Sequence, residues 1–190
     1  MAEALDFHYA WTAPPSSSPS DEEETGVTIL SAYPLVDVTR IVLPNPGPGK
    51  RRRVALGASI TIGRTTYRFY SVHGETRIAV SKKMEQLNAV LQDLARYPKE
   101  TPAIVVGDFN TWEPDADDKT IELFTRAGFK TPFGGHTTFR REVLFVPIQF
   151  RLDWIWLRGL EAVNCGIGTK FSVSDHWPLW ANLKQAAPPQ

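Results

Sequence analysis

Polar residues placed where apolar strands end constrain this chain more than any other feature. Val54–Ile62 alternates apolar side chains at Val54, Leu56, Ala58, Ile60 and Ile62, the two-residue period of a half-buried strand. Gly63-Arg64 supplies a turn, and residues 67–72 read as the return strand, ending at His73. Residues 103–106 are a continuous apolar run opening into Gly107-Asp108-Phe109-Asn110. Residues 152–157 form a further strand with Asp153 near its start, and Asp175-His176 precede a last strand over 178–183. Open sheets place their sites at such strand ends.

The rest of the chain fills in around these strands. Residues 1–12 have apolar points at Leu5, Tyr9 and Trp11 and read as one or two helical turns. Residues 14–25 are Pro/Ser-rich and then acidic, a flexible loop whose Glu22-Glu23-Glu24 run is best solvated. Short strands are expected at Val27–Ser31 and 38–43. In residues 78–96, Val80, Met84, Leu87, Leu91 and Leu94 recur at helical spacing, with Ser81 a candidate cap and Pro98 a stop. A second helix is expected over 119–127, and short strands at 137–139, 143–145 and 171–173. The expected organisation is an N-terminal helix and acidic loop (1–25), one α/β domain (26–184) and a disordered tail (185–190).

Composition sets the function classes. Lys plus Arg equals Asp plus Glu at 21 each, so the 190-residue chain has no net charge, against non-specific binding to a long phosphate backbone. Cys165 is the only cysteine, which removes intrachain disulfides and thiolate metal clusters. The N-terminus is acidic without an apolar leader core, and no stretch approaches the ~18 apolar residues of a membrane span. The expectation is a soluble, cytoplasmic protein.

Taken singly, the polar positions have ordinary readings: Gly-Asp-Phe-Asn as an Asx turn, His73 as a satisfied structural histidine, Lys50–Arg53 as a solvated hairpin end. Asp153 is more demanding, because a carboxylate in an apolar strand needs a partner, and an imidazole is the natural one. Together the positions form a set suited to phosphoester cleavage. The oxygen donors of Asp108, Asn110 and Asp175 suit Mg²⁺ or Mn²⁺, and two histidines can serve as acid, base or phosphate ligand. Trp112, Trp154, Trp156 and Trp177 flank these positions; most suit core packing, and stacking on a base or sugar is the alternative.

Five segments, in order, resemble the endonuclease/exonuclease/phosphatase superfamily: residues 26–35 (GVTILSAYPL), 71–76 (SVHGET), 107–110 (GDFN), 151–155 (RLDWI) and 174–178 (SDHWP). The resemblance implies a four-layer αββα fold, a two-sheet β-sandwich flanked by helices, and metal-dependent phosphoester hydrolysis. It implies that Asp108 orients or deprotonates the attacking water, with Asn110 holding it and the phosphate. His176 is implied to contact the scissile phosphate, kept in its tautomer by Asp153. Asp175 is implied as a metal-site carboxylate, and His73 as a group directed to the leaving group. A phosphate-ester substrate follows, nucleic acid among the candidates.

Two of the superfamily's motifs have no counterpart here: an Asn ending the first strand, and a Gln-Glu pair whose Glu is the principal metal ligand. The chain therefore reads as starting just after them. This leaves two functional expectations, an active hydrolase with that ligand replaced, or a decayed relative that folds and binds with little turnover. It also leads us to expect weak divalent-metal affinity, a bare sheet region exposing Ile104 and Val106, and a two-fold dimer covering it.

Overall fold

The computed structural model describes residues 2–15, 26–50, 52–169 and 173–186. In chain order the elements are α1 (Ala2–Leu5), β1 (His8–Thr12), β2 (Val27–Ser31), β3 (Val36–Val42), β4 (Val54–Ile62), β5 (Thr65–His73) and α2 (Val80–Leu94). There follow β6 (Ala103–Asp108), α3 (Ala116–Arg126), β7 (Phe139–Val143), β8 (Val146–Phe150), β9 (Asp153–Arg158), β10 (Leu160–Ile167) and β11 (Leu179–Gln185).

The alternating run at Val54 becomes the spine of a five-stranded sheet, ordered β3-β4-β5-β6-β9. β4 and β5 form the expected hairpin, turning at Gly63 with φ +62°. α2 then carries the chain across so that β6 lies parallel to β5, and β9 returns antiparallel to β6. Because side chains alternate, one sheet face carries Ala55, Tyr70, Val72, Ala103, Val105, Trp154 and Trp156. Leu87, Val90 and Leu94 of α2 and Phe124 of α3 pack on that face, and Trp154 and Trp156 stack within it at 5.4 Å. Both tryptophans thus serve the core.

The opposite face is covered differently. The β1–β2 ribbon packs on Val54 and Leu56, while the β10–β11 ribbon joins Ile104, Ile155, Leu157 and Phe133. Among the described residues the two ribbons pair with no other strand, and α2 and α3 both lie on the first face. Among the described residues the architecture is therefore a mixed α/β arrangement of one five-stranded sheet, three two-stranded ribbons and the helices packed on one face. Ile104, expected to be bare, is buried, and Val106 is half-buried.

Local departures have local causes. His8–Thr12 is a strand rather than helix, since it finds a ladder partner in Val27–Ser31. α2 starts at Val80 behind an extended Ala79 without any side-chain cap, so Ser81 lies inside the first turn. α3 begins three residues early, with Asp117 and Asp118 at its positive N-terminal end. The strands expected at 137–139 and 143–145 are instead the β7–β8 hairpin, which turns through Leu144 and Phe145 at φ +50° and +67°. Such a turn ordinarily takes Asn or Gly, so Leu-Phe gives no sequence signal. Gly159, at φ +68°, separates β9 from the unforeseen β10. Of the expected strand at 171–173, residues 171 and 172 lie outside the described residues, as do residues 16–25 of the acidic loop.

Candidate active site

Sheet register assembles the site. His73 at the end of β5 pairs with Asp108 at the end of β6, and Asp108 pairs with Asp153 at the start of β9. The three side chains therefore stand in one row, on the face that also carries Phe69, Ile104, Val106 and Ile155. His73 Nε2 lies 3.9 Å from Asp108 Oδ2. At the other end of the row, His176 Nδ1 lies 2.8 Å from Asp153 Oδ2. A carboxylate only accepts, so Nδ1 carries the proton and Nε2 is the nitrogen left for a substrate. The imidazole partner that Asp153 required is thus His176. Thr138, itself buried, accepts the backbone N–H groups of Leu152 and Asp153 and fixes where β9 begins.

The Gly-Asp-Phe-Asn turn is both an Asx turn and part of the row. Gly107 has φ +138°, and a Cβ there would sit 2.0 Å from the Val72 carbonyl oxygen, so only glycine lets β6 run this close to β5. Phe109 turns inward between Phe124 and Trp154. Asn110, at φ +54°, donates its backbone N–H to Asp108 Oδ1 (2.9 Å) and its side-chain amide to Asp108 Oδ2 (3.0 Å) and the Gly74 carbonyl (3.1 Å).

Electrostatics follow from this crowding. Burial, then the neighbouring Asp153 carboxylate, push Asp108 up to about 6, against the Asn110 hydrogen bond and the charges of His176 and Arg53. His176 is raised, first by its hydrogen bond to Asp153, with Asp108 and Asp175 adding charge and burial opposing. Asp175 itself is exposed; its carbonyl accepts the Arg140 N–H, and its charge reaches the row without a direct bond to it.

Several participants lie outside the expected set. Arg53, assigned by sequence to a solvated hairpin end, has a side chain only 11% exposed; it donates to Glu75 Oε2 (3.2 Å) and reaches His73 Nδ1 (3.5 Å). A guanidinium only donates, so this contact places the His73 proton on Nε2, toward Asp108. Lys50 and Arg52 of the same cluster are exposed, as expected. Buried Lys83 bonds the Asn110 carbonyl and Glu113, and its pKa is lowered by desolvation, with Glu113 opposing. An aromatic run leaves the site: Phe139 edge-on to His176 (5.0 Å), then Phe150 (6.3 Å), then Trp112 (6.3 Å), which is 44% exposed. Trp112 and Phe150 border an open cavity of about 460 Å³, and His176 with Asp153 borders another of about 540 Å³.

The donors are hard oxygens, but among the described residues no three His, Cys, Asp or Glu side chains converge as a metal cage. Mg²⁺ commonly keeps its waters and uses one or two carboxylates plus substrate phosphate oxygens. The paired Asp108 and Asp153 carboxylates, crowded enough to raise Asp108, fit that mode and not a protein-only cage.

The sequence pattern of the Endonuclease/Exonuclease/phosphatase family matches residues 2–176. No curated protein matches the chain. Among solved structures, D. rerio TDP2 complexed with single strand DNA product is similar at TM-score 0.74 and 16% identity, over 96% of this chain and 78% of that one. The human Nocturnin catalytic domain with bound sulfate is similar at TM-score 0.71 and 18% identity, over 97% and 74%. ANGEL2, a 2',3'-cyclic phosphatase in complex with adenosine-2',3'-vanadate, is similar at TM-score 0.73 and 13% identity, over 96% and 75%.

Proposed function

We propose a function from one established premise: the chain belongs to the Endonuclease/Exonuclease/phosphatase family, whose membership implies phosphoesterase-type hydrolysis. The reaction we assign is divalent-metal-dependent hydrolysis of a phosphate ester, and the observation that carries it is the row His73–Asp108–Asp153–His176. Asp108, crowded by Asp153 at the strand end, orients or deprotonates the attacking water. Asn110 holds that carboxylate in place. His176, kept protonated on Nδ1 by Asp153 and biased toward its cationic form, offers Nε2–H to a phosphate oxygen as charge builds there. His73, with its proton on Nε2, stands toward the leaving group. Asp108 is the first choice to hold Mg²⁺ or Mn²⁺, with Asn110 and Asp175 as further oxygen donors; the ion would neutralise phosphate charge and acidify a water.

A base-bearing ester is the preferred substrate. TDP2 is described with a DNA product and ANGEL2 with an adenosine derivative. Here the exposed Trp112 and the adjoining Phe150 offer rings for stacking beside the row. Zero net charge favours a short, single-stranded or mononucleotide ligand over long duplex. A second reading, binding with little turnover, is kept because the described residues bring two carboxylates, Asp108 and Asp153, to the row. One assay separates the two: hydrolysis of bis(p-nitrophenyl) phosphate and of a short single-stranded oligonucleotide, with Mg²⁺ or Mn²⁺, beside Asp108→Ala and His176→Ala. Metal-dependent turnover lost in both variants supports the hydrolase. Binding without turnover supports the second reading, and turnover untouched by either substitution defeats the assignment.

A further inference from the structure

Helix α2 turns two polar side chains inward one turn apart, Lys83 and Gln86, each only 1% exposed. Gln86 accepts the Glu75 N–H and donates to the Pro44 and Asn45 carbonyls, so it grips the turn that follows His73. Lys83 grips the other side. An ammonium has three protons to place and accepts nothing. Its Nζ donates to the Asn110 carbonyl and lies 2.7 and 2.8 Å from the two carboxylate oxygens of Glu113. The Trp112 ring closes over the same nitrogen at 5.5 Å.

A buried ion pair is a poor source of stability, since a well-packed apolar side chain often does as well or better. Leu87, Val90 and Leu94 already supply the packing of this helix. What Lys83 holds is a single carbonyl, that of Asn110 on the peptide it shares with Thr111, beside a left-handed φ that is costly unless its surroundings impose it. The Asn110 N–H lies on the preceding peptide, so holding the carbonyl restrains the Asn110 backbone from its other side, and that backbone carries the N–H and the side-chain amide to the two oxygens of Asp108.

We propose that Lys83, backed by Glu113, is a positioning residue that holds the Asn110 carbonyl, and with it the left-handed backbone of Asn110, and thereby sets the Asp108–Asn110 pair for hydrolysis; this rests on the phosphoesterase reading above. Lys83→Met keeps the length of the side chain and removes its charge, and Lys83→Arg keeps the charge. In folded Lys83→Met, the Asn110 amide should exchange its hydrogen about tenfold faster or more, with the amides of Val90 and Leu94 unchanged. kcat/KM on bis(p-nitrophenyl) phosphate should fall about a hundredfold, with Lys83→Arg recovering part of it. Affinity for inorganic phosphate, read from the Asn110 side-chain amide resonance, should fall about tenfold. Unchanged exchange at Asn110 overturns the proposal, and so does faster exchange with kcat/KM and phosphate affinity intact, which would leave Lys83 merely structural. If the wild-type chain does not hydrolyse, the phosphoesterase reading fails by itself, while exchange and phosphate binding still decide the role of Lys83. If Lys83→Met does not fold, Glu113→Gln, which weakens the same clamp from the surface side, carries the same expectations and the same refutations.

Discussion

Asp108→Asn should make the protein more stable at neutral pH while abolishing the proposed hydrolysis. In the folded chain Asp108 is raised from 3.8 to about 6, so the native state holds this proton more tightly than the unfolded chain does. The stability this group contributes is fully present below about pH 4 and is lost as pH rises through about 6. The gap corresponds to roughly 3 kcal/mol at pH 7 and above. The side chain is 21% exposed, a modest discount. Asparagine keeps an oxygen for the Asn110 N–H but sets an amide N–H₂ against the Asn110 side-chain amide, a loss of about 1 kcal/mol. A net gain of about 1–2 kcal/mol remains, or roughly 3–6 °C in melting temperature for a chain of this length. Thermal unfolding from pH 4 to 8 in a chelator, wild type beside Asp108→Asn, measures it. The variant should draw ahead only above about pH 5. A difference that does not depend on pH would refute the claim that Asp108 is held in a carboxylate-crowded, desolvated place.

Asp153→Ala should lower the pKa of His176, read by NMR titration, and cost about 1.5–3 kcal/mol where His176 is charged. Because His176 is raised in the folded state, this cost is greatest below its ordinary pKa and fades as pH rises through the raised value; an unchanged pKa would disprove the pairing. At the far end of the sheet, fully buried Arg68 bonds Asp93, Ser59, Thr39 and the Asp37 carbonyl. Arg68→Met should therefore cost about 2–3 kcal/mol in urea unfolding by taking the buried cation from Asp93, which keeps Tyr70 and the exposed Arg96, and Arg68→Met with Asp93→Leu should recover part of it; a loss under about 1 kcal/mol in the single variant would contradict this.

The row of site residues was legible because two independent sequence signals agree on it. Strand ends mark His73 and Asp108, an apolar strand around Asp153 demands an imidazole partner, and the resemblance to the superfamily singles out His176 for it. The clamp around that row was hidden by the same logic that finds helices. Ranking α2 by hydrophobicity selects Val80, Met84 and Leu91 for the core, yet these are only half-buried while Lys83, Gln86 and Asp93 are buried. Each of those polar side chains goes inside because a partner far along the chain meets it: Glu113 for Lys83, Pro44 for Gln86, Arg68 for Asp93. The same holds for Arg53, whose neighbours Lys50 and Arg52 remain in water while Glu75 draws it inward. Periodicity measures what a side chain would choose alone, whereas burial of a charge is decided by the pair. Carboxylates and cations buried as pairs therefore fall outside any one-segment reading. Two of those pairs, Lys83–Glu113 and Arg53–Glu75, flank the Asp108–Asn110 turn and the His73–Glu75 turn, where a fixed geometry has more to offer catalysis than stability.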